Sequence, residues 1–225
     1  MEQQFDRFKE APWFSERPEE VMIGGAGGIG SWLAFFLARA GFNITIYDFD
    51  ILEEHNLGGQ LYKTEDVGLK KVDALYHILQ QYTDRQVTAF DQRITDTSPF
   101  NHFMFSAFDN MQARKDLFAV WKRNMYNNPV APLFIDGRLE AEQMQIFCVT
   151  PANVAQYEEQ LFDDSEVEEA ACSYRQTSHS AAMIAAKMTS FFTNHITNIY
   201  ERENMREVPF YYEYFIPMNL TQETL

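Results

Sequence analysis

The stretch that decides the fold is Glu19-Glu20-Val21-Met22-Ile23-Gly24-Gly25-Ala26-Gly27-Gly28-Ile29-Gly30, an apolar run that breaks into glycines. An apolar-periodic segment from Trp32 to Ala40 follows it. Together they predict a strand, a tight turn and a helix. The spacing Gly25-x-Gly27-x-x-Gly30 fits the GxGxxG arrangement, in which a backbone approaches a phosphate and a helix packs closely on a strand. Backbone N–H groups and the positive end of the helix would then bind an anion.

Composition limits the classes of protein to which this chain can belong. With 225 residues and a hydrophobic fraction of 46%, it is long enough for one sizeable core. The formal net charge of -15 disfavours duplex nucleic acid or an anionic membrane surface as the main partner. The two cysteines form no CxxC pair, the N-terminus does not resemble a signal peptide, and no apolar run approaches membrane-spanning length. We therefore expect a cytoplasmic protein.

Strand and helix patterns alternate along the rest of the chain. Residues 43–48 alternate as a second strand, and residues 102–108 form a nearly all-apolar run typical of a strand covered on both faces. Further strands are predicted over 85–90, 132–136, 143–149 and 208–216, and helices over 68–81, 112–124 and 178–199. This order predicts an α/β fold, with a Rossmann-like, largely parallel sheet and helices on both faces.

No repeat or low-complexity linker divides the chain. Residues 1–18 mix charges with aromatic side chains, which predicts an N-terminal arm that packs on the domain or on a partner subunit. Residues 19–225 are predicted to form a single domain. Within it, the acidic segment 151–171 is predicted to be a mostly irregular crossover.

Three positions could carry chemistry, and each also has a simpler interpretation. Asp48 ends the second strand, where a carboxylate can accept hydrogen bonds from ribose hydroxyls or can cap a turn. Lys71 lies at a helix start, where a cation is disfavoured unless a phosphate is near, although a lysine there can simply be solvated. Asp109-Asn110 ends a buried strand, where a carboxylate can hold Mg²⁺ beside ATP phosphates and either residue can cap a helix.

Several short motifs resemble, in order and spacing, the ATP-binding domain of the ubiquitin-activating, ThiF-type and MoeB-type adenylating enzymes. They are the glycine turn, Asp48-Phe49-Asp50, Asn56-Leu57-x-x-Gln60, Val67-Gly68-x-x-Lys71-Val72, and Phe108-Asp109-Asn110 with Arg114. The resemblance covers roughly residues 20–150 and continues more loosely through the Cys172 region. The combination is far more specific than the glycines alone.

This resemblance implies an ATP-dependent adenylyltransferase that activates the C-terminal carboxylate of a ubiquitin-like or sulfur-carrier protein as an acyl-adenylate. It also implies a homodimer. By position, catalytic roles would fall on Lys71, Asp109 and Cys172, and Asp109 would act through Mg²⁺. The residues implied to bind ATP are Gly25, Gly27, Gly28, Gly30, Asp48, Asp50, Asn56, Lys71 and Asn110.

The chain departs from the family pattern at two places. The family usually has NLxRQ, with the arginine on the nucleotide phosphates, whereas this chain has Gly59 in the arginine position. Activity then depends on another cation, for which Arg7, Lys70 and Arg114 are the candidates. The zinc site of many relatives needs four ligands, and two isolated cysteines cannot supply them. We therefore expect Mg²⁺ and no structural zinc.

The two cysteines have different expected roles. Cys172 lies before the helix at 178–199, where activating enzymes carry the cysteine that accepts the acyl group, and its surroundings look like the family's Cys-Thr-x-Arg pattern. A neighbouring Arg175 and a helix N-terminus could lower the pKa of the thiol, but a buried structural cysteine is the alternative. Cys148 lies inside a predicted strand and is expected in the core.

Two other functions compete with adenylation. One is a nucleotide-binding interaction subunit without catalysis, motivated by Gly59 and by the missing zinc cysteines. The other is an NAD-dependent oxidoreductase, which the glycine turn and Asp48 alone would permit. An oxidoreductase would not explain the presence of Asn56, Lys71 and Asp109 at their positions.

Overall fold

A computed structural model describes residues 4–95, 97–126, 131–163 and 177–225. The strands are β1 (Glu20–Gly24), β2 (Asn43–Tyr47), β3 (Val87–Phe90), β4 (Phe103–Ser106), β5 (Leu133–Glu140), β6 (Gln143–Val149), β7 (Tyr211–Phe215) and β8 (Leu220–Thr224). The α-helices are α1 (Gly28–Ala40), α2 (Lys71–Leu79), α3 (Met111–Asn124), α4 (Val154–Glu158) and α5 (Ser178–Tyr200). Two short 3-10 helices lie between β2 and α2, at Glu54–Gly58 and Thr64–Asp66.

All eight strands form one sheet in the order β3-β2-β1-β4-β5-β6-β7-β8. The pairings from β3 to β5 are parallel, and those from β5 to β8 are antiparallel. One hydrophobic cluster joins α1, α2 and α5 to one face of the sheet, and a second joins α3 and α4 to the other face. The predicted α/β fold, with a largely parallel sheet and helices on both faces, is confirmed. In the described part of the chain, no helix is both long and apolar enough to cross a bilayer.

The connection between β1 and α1 has the predicted geometry. Gly25 has φ +95°, in the region that favours glycine, and the helix begins three residues later. At the other end of α1, Gly41 adopts a left-handed conformation, and the amide of Phe42 donates to the carbonyl of Leu37. This is a Schellman ending, so both ends of the first helix are set by glycine.

The structure moves one boundary of the predicted elements and adds two elements that were not predicted. Strand β5 does not end at Asp136 but continues through Gly137 and Arg138, because β6 turns back and pairs with it over this length. A five-residue helix, α4, lies inside the acidic segment that was predicted to be mostly irregular, and it buries Tyr157. Strand β8 was not predicted, since all five of its side chains are exposed and leave no apolar alternation to detect.

The N-terminal arm packs on its own domain, as one of the two predicted arrangements requires. The guanidinium of Arg85 lies over the rings of Phe5 and Phe14, at 4.7 and 5.6 Å from their centroids. Phe14 also lies beside Gly41, at the C-terminal end of α1. The arm is therefore separated from the glycine turn by the length of α1, about 20 Å for a helix of 13 residues.

Candidate nucleotide-binding site

A cavity of about 930 Å³ lies at the carboxyl ends of the parallel strands. Strands β1 and β4 are neighbours in the sheet, and their helices α1 and α3 lie on opposite faces, so this point is the topological switch at which open α/β sheets bind ligands. The cavity wall brings together nine of the residues that the sequence singled out: Gly25, Gly27, Gly28, Asp48, Asp50, Asn56, Lys71, Asp109 and Asn110. Cys172 and Arg175 lie outside the described residues.

The glycines of the loop have different roles. A Cβ atom on Gly30 would lie 1.8 Å from the carbonyl oxygen of Gly25, so this glycine allows α1 to pack against the loop. A Cβ atom on Gly27 would meet nothing closer than Gln60 Nε2, at 4.0 Å. The side-chain oxygen of Gln60 is buried without a hydrogen-bond partner in the described structure. An open backbone beside an unsatisfied amide fits a polar ligand that lies on the loop.

This difference predicts that substitutions of the two glycines affect different properties, stability for Gly30 and nucleotide binding for Gly27. Gly30→Ala should displace the loop and lower the melting temperature, because its Cβ would overlap a backbone oxygen. Gly27→Ala should leave the melting temperature nearly unchanged but weaken nucleotide binding, because its methyl group would project into the open space beside the loop. Thermal unfolding and calorimetric ATP titration of both variants test this. A melting temperature lowered equally by both substitutions would contradict the assignment.

Asp48 connects the end of β2 to the glycine loop. Its two carboxylate oxygens accept hydrogen bonds from the backbone amides of Ala26, at 2.7 Å, and Asp50, at 2.8 Å. Burial raises the pKa of this carboxyl group, although the two amides and Lys71 act in the opposite direction. Asp48 therefore caps a turn, as the simpler interpretation required, and it also lines the cavity. Tyr62 supports the same loop by donating its hydroxyl hydrogen to the carbonyl of Ala26.

Lys71 forms the first residue of α2 and is buried, so the interpretation as a solvated lysine is wrong. Its ammonium group lies 2.7 Å from Asp50 Oδ2. Asn56 lies nearby in the 3-10 helix, where its side-chain oxygen accepts a hydrogen bond from the amide of Glu53. A buried cation at a helix start costs free energy. An anionic ligand in the cavity would offset this cost.

Asp109 and Asn110 have different surroundings at the end of β4. Asn110 caps α3, because its side-chain oxygen accepts a hydrogen bond from the amide of Ala113. Asp109 is exposed at the cavity wall. Mg²⁺ is commonly held by one or two carboxylates together with substrate phosphates, so Asp109 fits that ion. Among the described residues, no group of three or more His, Cys, Asp or Glu forms a metal site made of protein alone.

A buried ion-pair network that the sequence did not reveal includes two residues of the cavity wall, Arg114 and Arg138. Asp136 is fully buried and accepts hydrogen bonds from Arg114 Nη1, from Arg138 Nε at 2.8 Å and from the hydroxyl of Tyr157 at 3.0 Å. Burial alone would raise the pKa of Asp136, but the two guanidinium groups outweigh it, so the pKa is lowered. The available sequence signal was an Asp and an Arg two residues apart at the end of an apolar strand.

The candidate substitutes for the missing family arginine are engaged elsewhere. Arg114 donates to Asp136 and to the carbonyls of Phe108 and Gly137. Lys70 lies 3.3 Å from Asp91, and Arg7 belongs to the arm at the opposite end of α1. Arg93, which belongs to none of the sequence motifs, lines the cavity beside Phe49, with its guanidinium 4.2 Å from the ring centroid.

Cys148 is a core residue, as its position in a predicted strand indicated, and His195 is also buried. Cys148 is 2% exposed, and burial raises the pKa of its thiol, so it remains protonated and unreactive. His195 Nε2 lies 2.9 Å from the carbonyl oxygen of Ala131, and burial lowers the pKa of its ring. Neither residue lines the candidate site.

The chain has relatives among proteins of known function. Ubiquitin-like modifier-activating enzyme 5 of Mus musculus is 33% identical over 165 residues, which are 62% of this chain and 41% of the relative. The tRNA threonylcarbamoyladenosine dehydratase of Escherichia coli K12 is 29% identical over 113 residues, which are 46% of this chain and 42% of the relative. The chain thus spans about two fifths of the length of these relatives.

Solved structures share the fold at lower sequence identity. E. coli MccB, crystallised with ATP, superposes with a TM-score of 0.71 at 15% identity, covering 99% of this chain and 71% of MccB. PaaA superposes with a TM-score of 0.68 at 21% identity, covering 91% of this chain and 63% of PaaA. In the family comparison, residues 16–221 match the ThiF family. That match covers nearly the whole chain, and the chain therefore belongs to the ThiF family.

Proposed function

We propose that this protein binds Mg·ATP and transfers AMP to the C-terminal carboxylate of a ubiquitin-like or sulfur-carrier protein. The observation that carries the proposal is the convergence of nine sequence-identified residues on one cavity at the switch point of the sheet. The open backbone at Gly27 and the unsatisfied amide of Gln60 add support, because they leave polar groups facing a ligand. Membership of the ThiF family and similarity to an activating enzyme support the same reaction.

In the proposed reaction, a carboxylate oxygen of the carrier attacks the α-phosphorus of ATP. A new O–P bond forms, the bond from the α-phosphorus to the bridging oxygen breaks, and pyrophosphate leaves with the electron pair. The amides of the glycine loop and the ammonium of Lys71 would stabilise negative charge on the phosphates. Asp48 and Asp50 would hold the ribose, and Asn56 would contact the phosphates. Mg²⁺, held by Asp109, would supply further neutralisation of the leaving group.

Pyrophosphate exchange tests the proposal directly. The protein is incubated with ATP, Mg²⁺, labelled pyrophosphate and a panel of small ubiquitin-fold proteins that end in Gly-Gly. The matched control is the same panel with an amide in place of each terminal carboxylate. We expect label to enter ATP only when a carrier is present. We expect no label with the amidated panel, because only a free carboxylate can form the adenylate.

The alternative within the same fold is a nucleotide-binding subunit without catalysis, motivated by Gly59. Intact ATP binding with no exchange for any carrier would favour it over adenylation. A calorimetric comparison of ATP with NAD separates both from an oxidoreductase. Stronger binding of NAD would overturn the proposal.

A thioester step would follow adenylation if Cys172 is the acyl acceptor. Its thiolate would attack the acyl carbonyl carbon, and AMP would leave. Cys172→Ala should therefore spare pyrophosphate exchange and abolish the thiol-sensitive adduct between protein and carrier, while Cys148→Ala should leave the adduct, because Cys148 is buried. Non-reducing electrophoresis, with and without thiol, detects the adduct. A thioester that survives Cys172→Ala would place the nucleophile elsewhere.

The remaining proposals concern partners and surroundings. We propose a cytoplasmic homodimer, as the family resemblance implies, and sedimentation of the purified chain tests the dimer. The acidic segment 151–171 and the net charge of -15 favour a carrier with a basic face. Exchange activity that falls as salt is added, through a rising KM for the carrier, is the expected signature.

A further inference from the structure

Arg138 has one hydrogen-bond donor that the described protein leaves unused. Its Nε donates to Asp136 Oδ2 at 2.8 Å, and its Nη1 donates to the carbonyl of Gln160 at 3.1 Å. The other terminal nitrogen, Nη2, is buried and has no acceptor among the described residues. The residue also lines the cavity that contains the glycine loop. The residue that carries this spare donor therefore belongs to the wall of the candidate site.

A buried guanidinium N–H without an acceptor costs free energy. A ligand oxygen that accepts its hydrogen bond would remove this cost. The group cannot easily turn away, because Asp136 holds it from one side and the ring of Phe147 lies 4.6 Å from its central carbon. Burial lowers the pKa of Arg138, but Asp136 more than compensates, so the guanidinium remains charged. A fixed, charged donor of this kind suits an oxygen anion.

The order of the strands indicates which part of the reactants would reach Arg138. Asp48 follows β2 and Arg138 is on β5, and three strand spacings, about 14 Å, separate these strands in the sheet. If Asp48 holds the ribose, as the proposed function states, the nucleotide extends from β2 towards the loop after β1. The wall formed by Leu139, Gln143 and Gln145 on β5 and β6 is then left for the acyl substrate.

We propose that Arg138 binds the terminal carboxylate of the substrate through Nη2, an inference that rests on the proposed adenylation. Arg138 would donate to the carboxylate oxygen that remains as the acyl carbonyl oxygen, while the other oxygen attacks the α-phosphorus. In this arrangement Asp136 orients Arg138, and Arg138 orients the nucleophile. The cation lost at Gly59 is then replaced by one that contacts the acyl group rather than the phosphates.

Two adenosine compounds test this without knowledge of the carrier. The first is AMP, and the second is adenosine 5′-sulfamate bearing a glycylglycyl group, a stable analogue of the acyl-adenylate. Calorimetry gives the ratio of their dissociation constants in each full-length protein. Arg138→Lys retains the charge beside Asp136 and removes the spare nitrogen. It should therefore raise the dissociation constant of the acyl analogue roughly 10- to 100-fold and leave that of AMP unchanged.

Arg39→Lys is the matched control, since Arg39 is exposed on α1, donates to the carbonyl of Tyr82 and does not line the cavity. It should leave the ratio of the two dissociation constants as in the native protein. Arg138→Gln is the second variant, and the melting temperature of each is recorded. Because the ratio is measured within one protein, a partly unfolded sample does not change it.

The outcomes distinguish the role of Arg138 from the proposed adenylation. A selective loss of the acyl analogue in both Arg138 variants supports the assignment. Equal losses for AMP and the analogue would overturn it, because Arg138 would then act on the phosphate or on the fold, and so would unchanged binding of both. If the native protein binds the analogue no better than AMP, the proposed adenylation itself fails.

Discussion

Lys71→Ala is expected to reduce adenylate formation by roughly 10²- to 10³-fold while the protein stays folded. The ammonium group is buried at the cavity wall, 2.7 Å from Asp50, where a charge acts more strongly on a phosphate than it would in water. Its removal leaves Asp50 unpaired, but that carboxylate is half exposed and can be solvated. Pyrophosphate exchange with a carrier that the native protein accepts measures adenylate formation, and thermal unfolding shows whether the variant stays folded.

Lys70→Ala is the matched control for this experiment. Lys70 is the neighbouring residue, but its ammonium group faces Asp91 at the surface and does not line the cavity. Exposed ion pairs contribute little, so this variant should keep near-native exchange and stability. Undiminished exchange in Lys71→Ala would remove Lys71 from the site. A similar loss in both variants would indicate a general effect of charge on carrier docking.

The part of the site that we propose to bind the nucleotide could be predicted, because its geometry depends on the backbone. A strand that ends in spaced glycines determines a loop conformation. No other residue type fits at position 30, because a Cβ atom there would overlap the carbonyl oxygen of Gly25. The residues that end parallel strands must meet at one edge of the sheet, so Asp48 and Asp109 were expected near the glycines. The structure places Asp48, Asp109, Gly25, Gly27 and Gly28 at the same cavity, whereas Gly30 is buried in α1.

The part of the wall that we propose to bind the acyl substrate could not be predicted, because it depends on pairings between distant segments. Arg138 belongs to the sheet only because β6 returns along β5 and extends it beyond Asp136. Tyr157 reaches Asp136 from a short helix in an acidic segment with little apolar periodicity. An Asp-Gly-Arg sequence after an apolar run reads as a turn when only local pattern is considered. Its membership of a strand was decided by tertiary structure.

Asp136→Ala is expected to cause the largest loss of stability of any substitution considered. Asp136 is fully buried and accepts hydrogen bonds from both Arg114 and Arg138, whose side chains are themselves mostly buried. Removing the carboxylate leaves two buried cations without a counter-charge, which costs about 3–5 kcal/mol in the free energy of unfolding. For a domain of this size, the melting temperature should fall by roughly 6–20 °C.

Asp163→Ala is the matched control, because Asp163 pairs with Lys115 on the surface and its side chain is 66% exposed. That pair should contribute no more than about 1 kcal/mol. Urea unfolding at pH 7, followed by circular dichroism, gives both free energies. Equal effects of the two substitutions would mean that the buried network contributes no more than a surface pair.

The pH dependence of the same comparison separates charge from packing. The pKa of Asp136 is lowered in the folded protein, so its contribution to stability is fully present above the unfolded pKa, near 3.9. That contribution is lost as the pH falls through the folded pKa. The difference between the native protein and Asp136→Ala should therefore shrink below about pH 4. Comparing native and variant in urea at successive pH values isolates this residue, because other titrating groups such as Asp48 are present in both proteins. A difference that stays constant as the pH falls would assign the stabilisation to packing rather than to the carboxylate charge.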